Sequence, residues 1–117
     1  GEADEIYAKG SEGSFGILPD HTPFMSALAI GVTKIVNDNV PIYFSTIGGV
    51  FQFMNNEAVI LSEDAENGTN IDIAVAKAEK EKEEAKFVNP QTLKEIQLTD
   101  KALAVAISRF KAASNEM

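Results

Sequence analysis

Apolar residues recur at every second position in the first part of this chain and at every third or fourth position in the last part. Between Gly31 and Val36, for instance, Val32, Lys34 and Val36 fall on one side and Thr33 and Ile35 on the other, which is the period of a strand. Short runs of this kind occupy 5–9, 15–18, 31–36, 40–44, 50–54 and 58–61. Turn chemistry separates them. Gly10-Ser11-Glu12-Gly13-Ser14 permits a tight reversal, and Pro19-Asp20-His21-Thr22-Pro23 makes a rigid turn at a sheet rim, because each proline fixes φ and removes a ladder donor. Asn37-Asp38-Asn39 is a turn that with the run from Val40 signals a hairpin, Asn55-Asn56 tolerates the left-handed backbone, and Gly48-Gly49 restarts the chain into Val50. Short strands at regular spacing predict a small antiparallel sandwich or barrel.

From Thr69 the period changes. Thr69-Asn70-Ile71-Asp72 has the spacing of a capping box, so a helix is expected to start there and run to about Lys86, with Ile71, Val75, Ala78 and Ala85 as a thin apolar stripe. Glu79 with Lys82 and Glu83 with Lys86 are its expected surface ion pairs. Asn89-Pro90 ends it, since proline disfavours the helical conformation of its predecessor. A second helix is expected from Thr99-Asp100, carrying Leu103, Ala106, Ile107, Phe110 and Ala113 at spacings of three and four. Both are rich in alanine, so they pack closely as an antiparallel pair, yet bury little area. A helix of roughly sixteen residues is marginal alone in water. The pair is therefore expected to be able to detach.

Composition sharpens this division into residues 1–68 as the β domain and 69–117 as a helical hairpin. All eight glycines lie before Ile71. The net charge of −8 belongs to the same part, where ten carboxylates up to Asn70 face only Lys9 and Lys34. Such a surface repels a phosphate backbone, which argues against nucleic acid as a partner. No apolar run is long enough to span a bilayer. With no cysteine, thiolate metal sites and cysteine nucleophiles are excluded. His21 is the sole histidine and reads as a turn residue that hydrogen-bonds or touches a partner; no metal site is expected around it. Gly10, Gly13 and Gly16 lead into a strand, whereas both nucleotide-binding glycine motifs lead into a helix. Interleaved charges between Lys80 and Lys86 mark a solvated helix face. No catalytic residues emerge, so function must lie in contact with something else.

The stretch Gly10-Ser11-Glu12-Gly13-Ser14-Phe15-Gly16-Ile17-Leu18-Pro19-Asp20-His21-Thr22-Pro23-Phe24, followed by Ile30-Gly31-Val32, resembles the epsilon-subunit family of F-type ATP synthases. The likeness continues through Ser45-Thr46-Ile47-Gly48-Gly49 and Leu61-Ser62-Glu63-Asp64-Ala65-Glu66 and covers the whole chain. The resemblance implies a ten-stranded antiparallel β-sandwich followed by an antiparallel two-helix hairpin, with the family's first strand expected to be missing here. It implies a non-catalytic rotor subunit that clasps gamma and sits on the c-ring, coupling ion-driven rotation to ATP synthesis. The hairpin would inhibit ATP hydrolysis by extending among the alpha and beta subunits. Location would be peripheral, on the cytoplasmic face of a bacterial membrane. Contacts to the ring and gamma would, by the same resemblance, fall on Ser11, Glu12, Gly13, Ser14 and His21. Relatives often have an acidic residue at Ser14 and glycine at Asp20. Relatives that bind regulatory ATP carry Ile-Asp-x-x-Arg-Ala, where this chain has Ile71-Asp72-Ile73-Ala74-Val75-Ala76. Valine cannot pair with a phosphate. Ile71, Asp72, Lys82 and Arg109 are thus what remains of a regulatory nucleotide site, and no resident cofactor is expected. The alternative reading is a free-standing ligand-binding sandwich with its helices as a lid.

Overall fold

The computed structural model describes residues 3–86 and 93–117, and of 93–100 the helical backbone alone. Eight strands form two antiparallel sheets. The first sheet contains β1 (Glu5–Gly10), β2 (Gly13–Ile17), β4 (Gly31–Asn37), β5 (Val40–Ile47) and β8 (Asp64–Asn67), in the order β2-β1-β4-β5-β8. The second contains β3 (Phe24–Ala27), β6 (Val50–Met54) and β7 (Glu57–Leu61), in the order β3-β6-β7. After a single 3-10 turn (Gly68–Asn70) come α1 (Ile73–Ala85) and α2 (Leu93–Ala113). The fold is thus a β-sandwich followed by two helices, as expected, with eight strands among the described residues where the resemblance implied ten. No helix among the described residues is long and apolar enough to cross a membrane.

The turn residues explain the registers. Asp38 and Asn39, and likewise Asn55 and Asn56, all take positive φ, so both hairpins close on two residues with the twist that antiparallel strands require. Asn37 therefore faces Val40, and Met54 faces Glu57. Alternation then sends Phe51 and Phe53 inward, where they meet Ala8, Ile17 and Leu28, with Phe15 and Phe24 packed around them. The ring centroids of Phe15 lie 4.9 Å from Phe24 and 5.1 Å from Phe51, tilted rather than stacked. Thr33 and Thr46 share the inner face and satisfy each other at 3.2 Å.

The opposite face of the five-stranded sheet carries the helices. Val32 and Ile71 pack there with Ala76 of α1 and Ala112 of α2, joined by Tyr43, Phe110 and Ala113. Small side chains bring backbone very near backbone: a Cβ on Gly68 would run into the carbonyl of Ala112 and come within 3.1 Å of the Tyr43 carbonyl oxygen. Gly68 is what lets α2 lie on the sheet.

Several expectations for the helices need correction. The N-cap of α1 is Asp72, whose carboxylate accepts from the N–H groups of Ala74 and Val75, while Thr69 belongs to the preceding turn capped by Asn67. Of the expected stripe Ile71 is buried but precedes α1, while Val75 is 51% exposed, Ala78 and Ala85 are also exposed, and Ala76 is the fully buried residue of the helix. Dropping the helix start by about three residues turns the inward face to Ala76, Glu79, Lys80 and Glu83. Glu79 consequently turns inward, and the expected pair with Lys82 does not form; Glu83 does reach Lys86, at 3.1 Å. α2 begins at Leu93, ahead of the expected Thr99-Asp100, because the good helix formers of 93–98 extend it. The break expected at Asn89-Pro90 lies outside the described residues.

Candidate interaction surfaces

A folded sheet normally shows polar residues to water, and the three-stranded sheet does not. Its outward rows are Ala27, Val50 and Leu61, then Met25, Gln52 and Val59, then Met54 and Glu57. Met25 and Leu61 are 66% and 69% exposed, and Val50, Met54 and Val59 are each at least two-fifths exposed. Five large apolar side chains on one flat face mark a contact surface. Sequence reading missed them as a site. The signal was present in Val50-Phe51-Gln52-Phe53-Met54 and Ala58-Val59-Ile60-Leu61, which are apolar at both parities and so ask for cover on both faces.

The residues expected to meet partners divide between the two ends of the sandwich. Ser11 and Glu12 form the β1–β2 turn, with Gly13 at φ 134° and Ser14 opening β2; all four are exposed. The Ser11 N–H anchors this turn to the Ala27 carbonyl. His21 lies past the other end of β2, and the pairing of Ile6 with Ile17 against Gly10 with Gly13 puts roughly 13 Å of strand between them. Its ring stands edge-on to Phe24 and Phe53, both at 6.0 Å, and its Nδ1 donates to the Thr22 carbonyl at 2.7 Å. Asp20 beside it takes φ 63°, the left-handed backbone that a glycine there would adopt without cost, and its N–H donates to Asn56 Oδ1 at 2.9 Å.

Nor does the structure assemble Ile71, Asp72, Lys82 and Arg109 into one pocket. Ile71 is buried under the helices, Asp72 is consumed as the cap of α1, and Lys82 is on the outer side of that helix. Arg109 of α2 is occupied. Its Nε donates to Glu66 Oε1 at 3.0 Å and its Nη2 to Glu66 Oε2 at 3.4 Å, while Nη1 donates to Glu79 Oε2. Burial alone would lower the guanidinium pKa, but the hydrogen bonds and charges of the two carboxylates together hold it above the usual arginine value. The cation's contribution is therefore complete at every pH below that usual value and is lost only on strongly alkaline titration.

Next to this ion cluster, Ser108 Oγ donates to the Gly31 carbonyl at 2.7 Å and meets the hydroxyl of Ser45 at 2.7 Å, with both serines buried. Lys80 Nζ sits 4.7 Å from the Phe110 ring centroid, joining α1 to α2. Side chains of the chain itself thus make the contact between the helices and the sheet, and the open groove lies between the two helices. What the arrangement offers chemically is contact: one apolar face, two rims and a helical pair held by mixed small-residue and polar bonds.

Comparison with known proteins agrees with this picture. Residues 1–68 match the family model described as ATP synthase, Delta/Epsilon chain, beta-sandwich domain. The ATP synthase epsilon chain of Desulforamulus reducens is 32% identical over 112 residues, spanning 96% of this chain and 85% of that one. That of Geotalea daltonii is 35% identical over 114 residues, spanning 96% and 82%. Among solved structures, a chain of the Euglena gracilis mitochondrial ATP synthase (OSCP/F1/c-ring) superimposes with a TM-score of 0.77 at 21% identity, over 97% of this chain and 69% of that one. A chain of the Tetrahymena thermophila mitochondrial ATP synthase central stalk and c-ring gives 0.62 at 21% identity, over 94% and 81%. These two likenesses speak for the fold, and the curated relatives and the family model for descent: the chain belongs to the ATP synthase epsilon-chain family.

Proposed function

We propose that this protein is a non-catalytic central-stalk subunit that couples rotation of the c-ring to ATP synthesis and restrains ATP hydrolysis with its helices. The observation that carries the reading is the uncovered apolar face of the three-stranded sheet, which fits a large protein partner in a permanent complex. Gamma is that partner. Mixing with purified gamma is expected to give a stable complex on size exclusion, and separate elution would overturn the reading. The location that follows is peripheral, on the cytoplasmic face of a bacterial membrane.

One end of the sandwich can face the ring; both carry exposed runs, 11–14 and 18–23, and the Ser11 to Ser14 turn suits it better because the His21 ring leans on Phe24 and Phe53. Cysteine at Ser14 is expected to cross-link to the c-ring in the assembled enzyme and cysteine at His21 to gamma; the reverse pattern would invert the orientation.

The hairpin is the switch in this proposal. Docked on the sheet it permits hydrolysis, and extended among alpha and beta it blocks it. Its contact with the sandwich is small and partly polar, which suits two states separated by only a few kcal/mol. Regulation works without nucleotide: Val75 points to solvent, Asp72 is used as a cap and Arg109 already holds two carboxylates. Titration with magnesium ATP is expected to show no binding below about millimolar concentration, an affinity of roughly −4 kcal/mol. Val75→Arg alone is expected to leave that unchanged, because the second cation stays occupied. Micromolar binding by the parent chain would refute this.

A further inference from the structure

We propose that Arg109 is the release pin of the hairpin: one guanidinium of α2 holds β8 and α1 at once, so that docking of the helices on the sandwich is an equilibrium set by ionic strength. This rests on the reading of the hairpin as a switch and adds what governs it. The fork closes on Glu66 of β8 at 3.0 and 3.4 Å, and its remaining edge on Glu79 of α1, so three elements meet at one side chain. The other bonds across the seam are of a different kind. Val32, Ile71, Ala76 and Ala112 are small contacts, and the Ser108 bonds to Ser45 and Gly31 are neutral, so added salt scarcely touches them.

Exposure decides how the pin behaves. The side chains of Arg109, Glu66 and Glu79 are 24%, 36% and 43% exposed, so water and ions reach them and separation strands no charge in an apolar site. Sign decides the rest. Glu83 and Lys101 flank the same groove between the helices, and Glu83 is paired with Lys86, so once Arg109 is removed Glu66 and Glu79 outnumber the one cation left among the described residues of that groove, Lys101. Without the arginine, Glu66 and Glu79 would confront each other and push the helices away from the sheet. A neutral replacement therefore turns an attraction into a repulsion, and the response to salt changes sign.

The experiment uses the full chain, whose lack of cysteine allows spin labels at Glu57→Cys in β7 and Lys82→Cys in α1. Label distances are measured at about 0.01 M and about 1 M salt, where the screening length falls from roughly 30 Å to roughly 3 Å. In the parent, the long-distance population is expected to rise severalfold with salt. In Arg109→Met it is expected to dominate at low salt and to shrink as salt is added. A third chain, Arg109→Met with Glu66→Gln and Glu79→Gln, is expected to be closed again and indifferent to salt, which covers the case in which the single variant folds poorly. An Arg109→Met chain as closed as the parent at low salt, or a triple variant as open as the single one, would overturn the proposal. Opening of Arg109→Met supports the pin whatever gamma does. A parent that stays closed when purified gamma is added would count against the switch reading alone.

Discussion

Gly68→Ala is expected to lift the helical pair off the sheet while leaving the sandwich folded. The added methyl meets carbonyl groups of the backbone on both sides, from Ala112 in α2 and from Tyr43 in β5, and neither is the free end of a side chain that can swing away. Overpacking of this kind costs about 1–3 kcal/mol even where side chains adjust. Near the upper figure the ratio of docked to released molecules falls by roughly a hundredfold. Amide exchange provides the measurement: protection should drop over α1 and the last turns of α2 and persist in β4, β5 and β6. Uniform loss of protection would mean that the whole fold depends on this contact, and unchanged protection would mean that α2 can shift without penalty. In the assembled enzyme the same substitution should lower ATP hydrolysis if, as proposed, helices released from the sheet are those that extend.

The second large effect is expected at the opposite face. Met25→Asp combined with Leu61→Asp should abolish capture by gamma. Both positions are about two-thirds exposed in the isolated subunit, so the fold should barely notice, with a change within roughly 0.5 kcal/mol. Once gamma covers them, each carboxylate would be desolvated without a partner, at a cost of about 2–5 kcal/mol. A complex with gamma should then weaken by at least roughly a hundredfold and disappear on size exclusion. An unchanged melting transition with lost binding is the signature sought. Retained binding would move the gamma contact elsewhere on the sandwich.

The strands that could be read in advance were those framed by strong turn chemistry. Asp38-Asn39 and Asn55-Asn56 dictate two-residue reversals, and the apolar residues around them alternate as the pleat demands. β8 escaped notice because Asp64-Ala65-Glu66-Asn67 has little strand propensity of its own. It forms because the backbone of β5 offers it a ladder and because Glu66, once there, meets Arg109. β3 was hidden by its length of four residues directly after Pro23. The face of α1 was misjudged for a related reason. Ile73 and Val75 are its most apolar residues, but docking geometry prefers the small Ala76 and leaves both outside. Period alone could not reveal that close approach outweighs hydrophobic area at this seam. The Ser11 turn and His21 were each legible as loop positions, but only the register of β1 with β2 places them at opposite ends.

The uncovered sheet bears on the subunit's life before assembly. A newly made copy presents a flat, greasy surface with no mate, and two copies meeting there would shield each other from water. What opposes such pairing is the concentration of negative charge on the sandwich half, ten carboxylates against two lysines. Orphan molecules are thus held apart by mutual repulsion until a better-matched surface arrives. Colloidal stability in the unassembled pool and, under the proposed assembly, affinity for the partner come from two properties of one small domain, a bald face and an acidic coat.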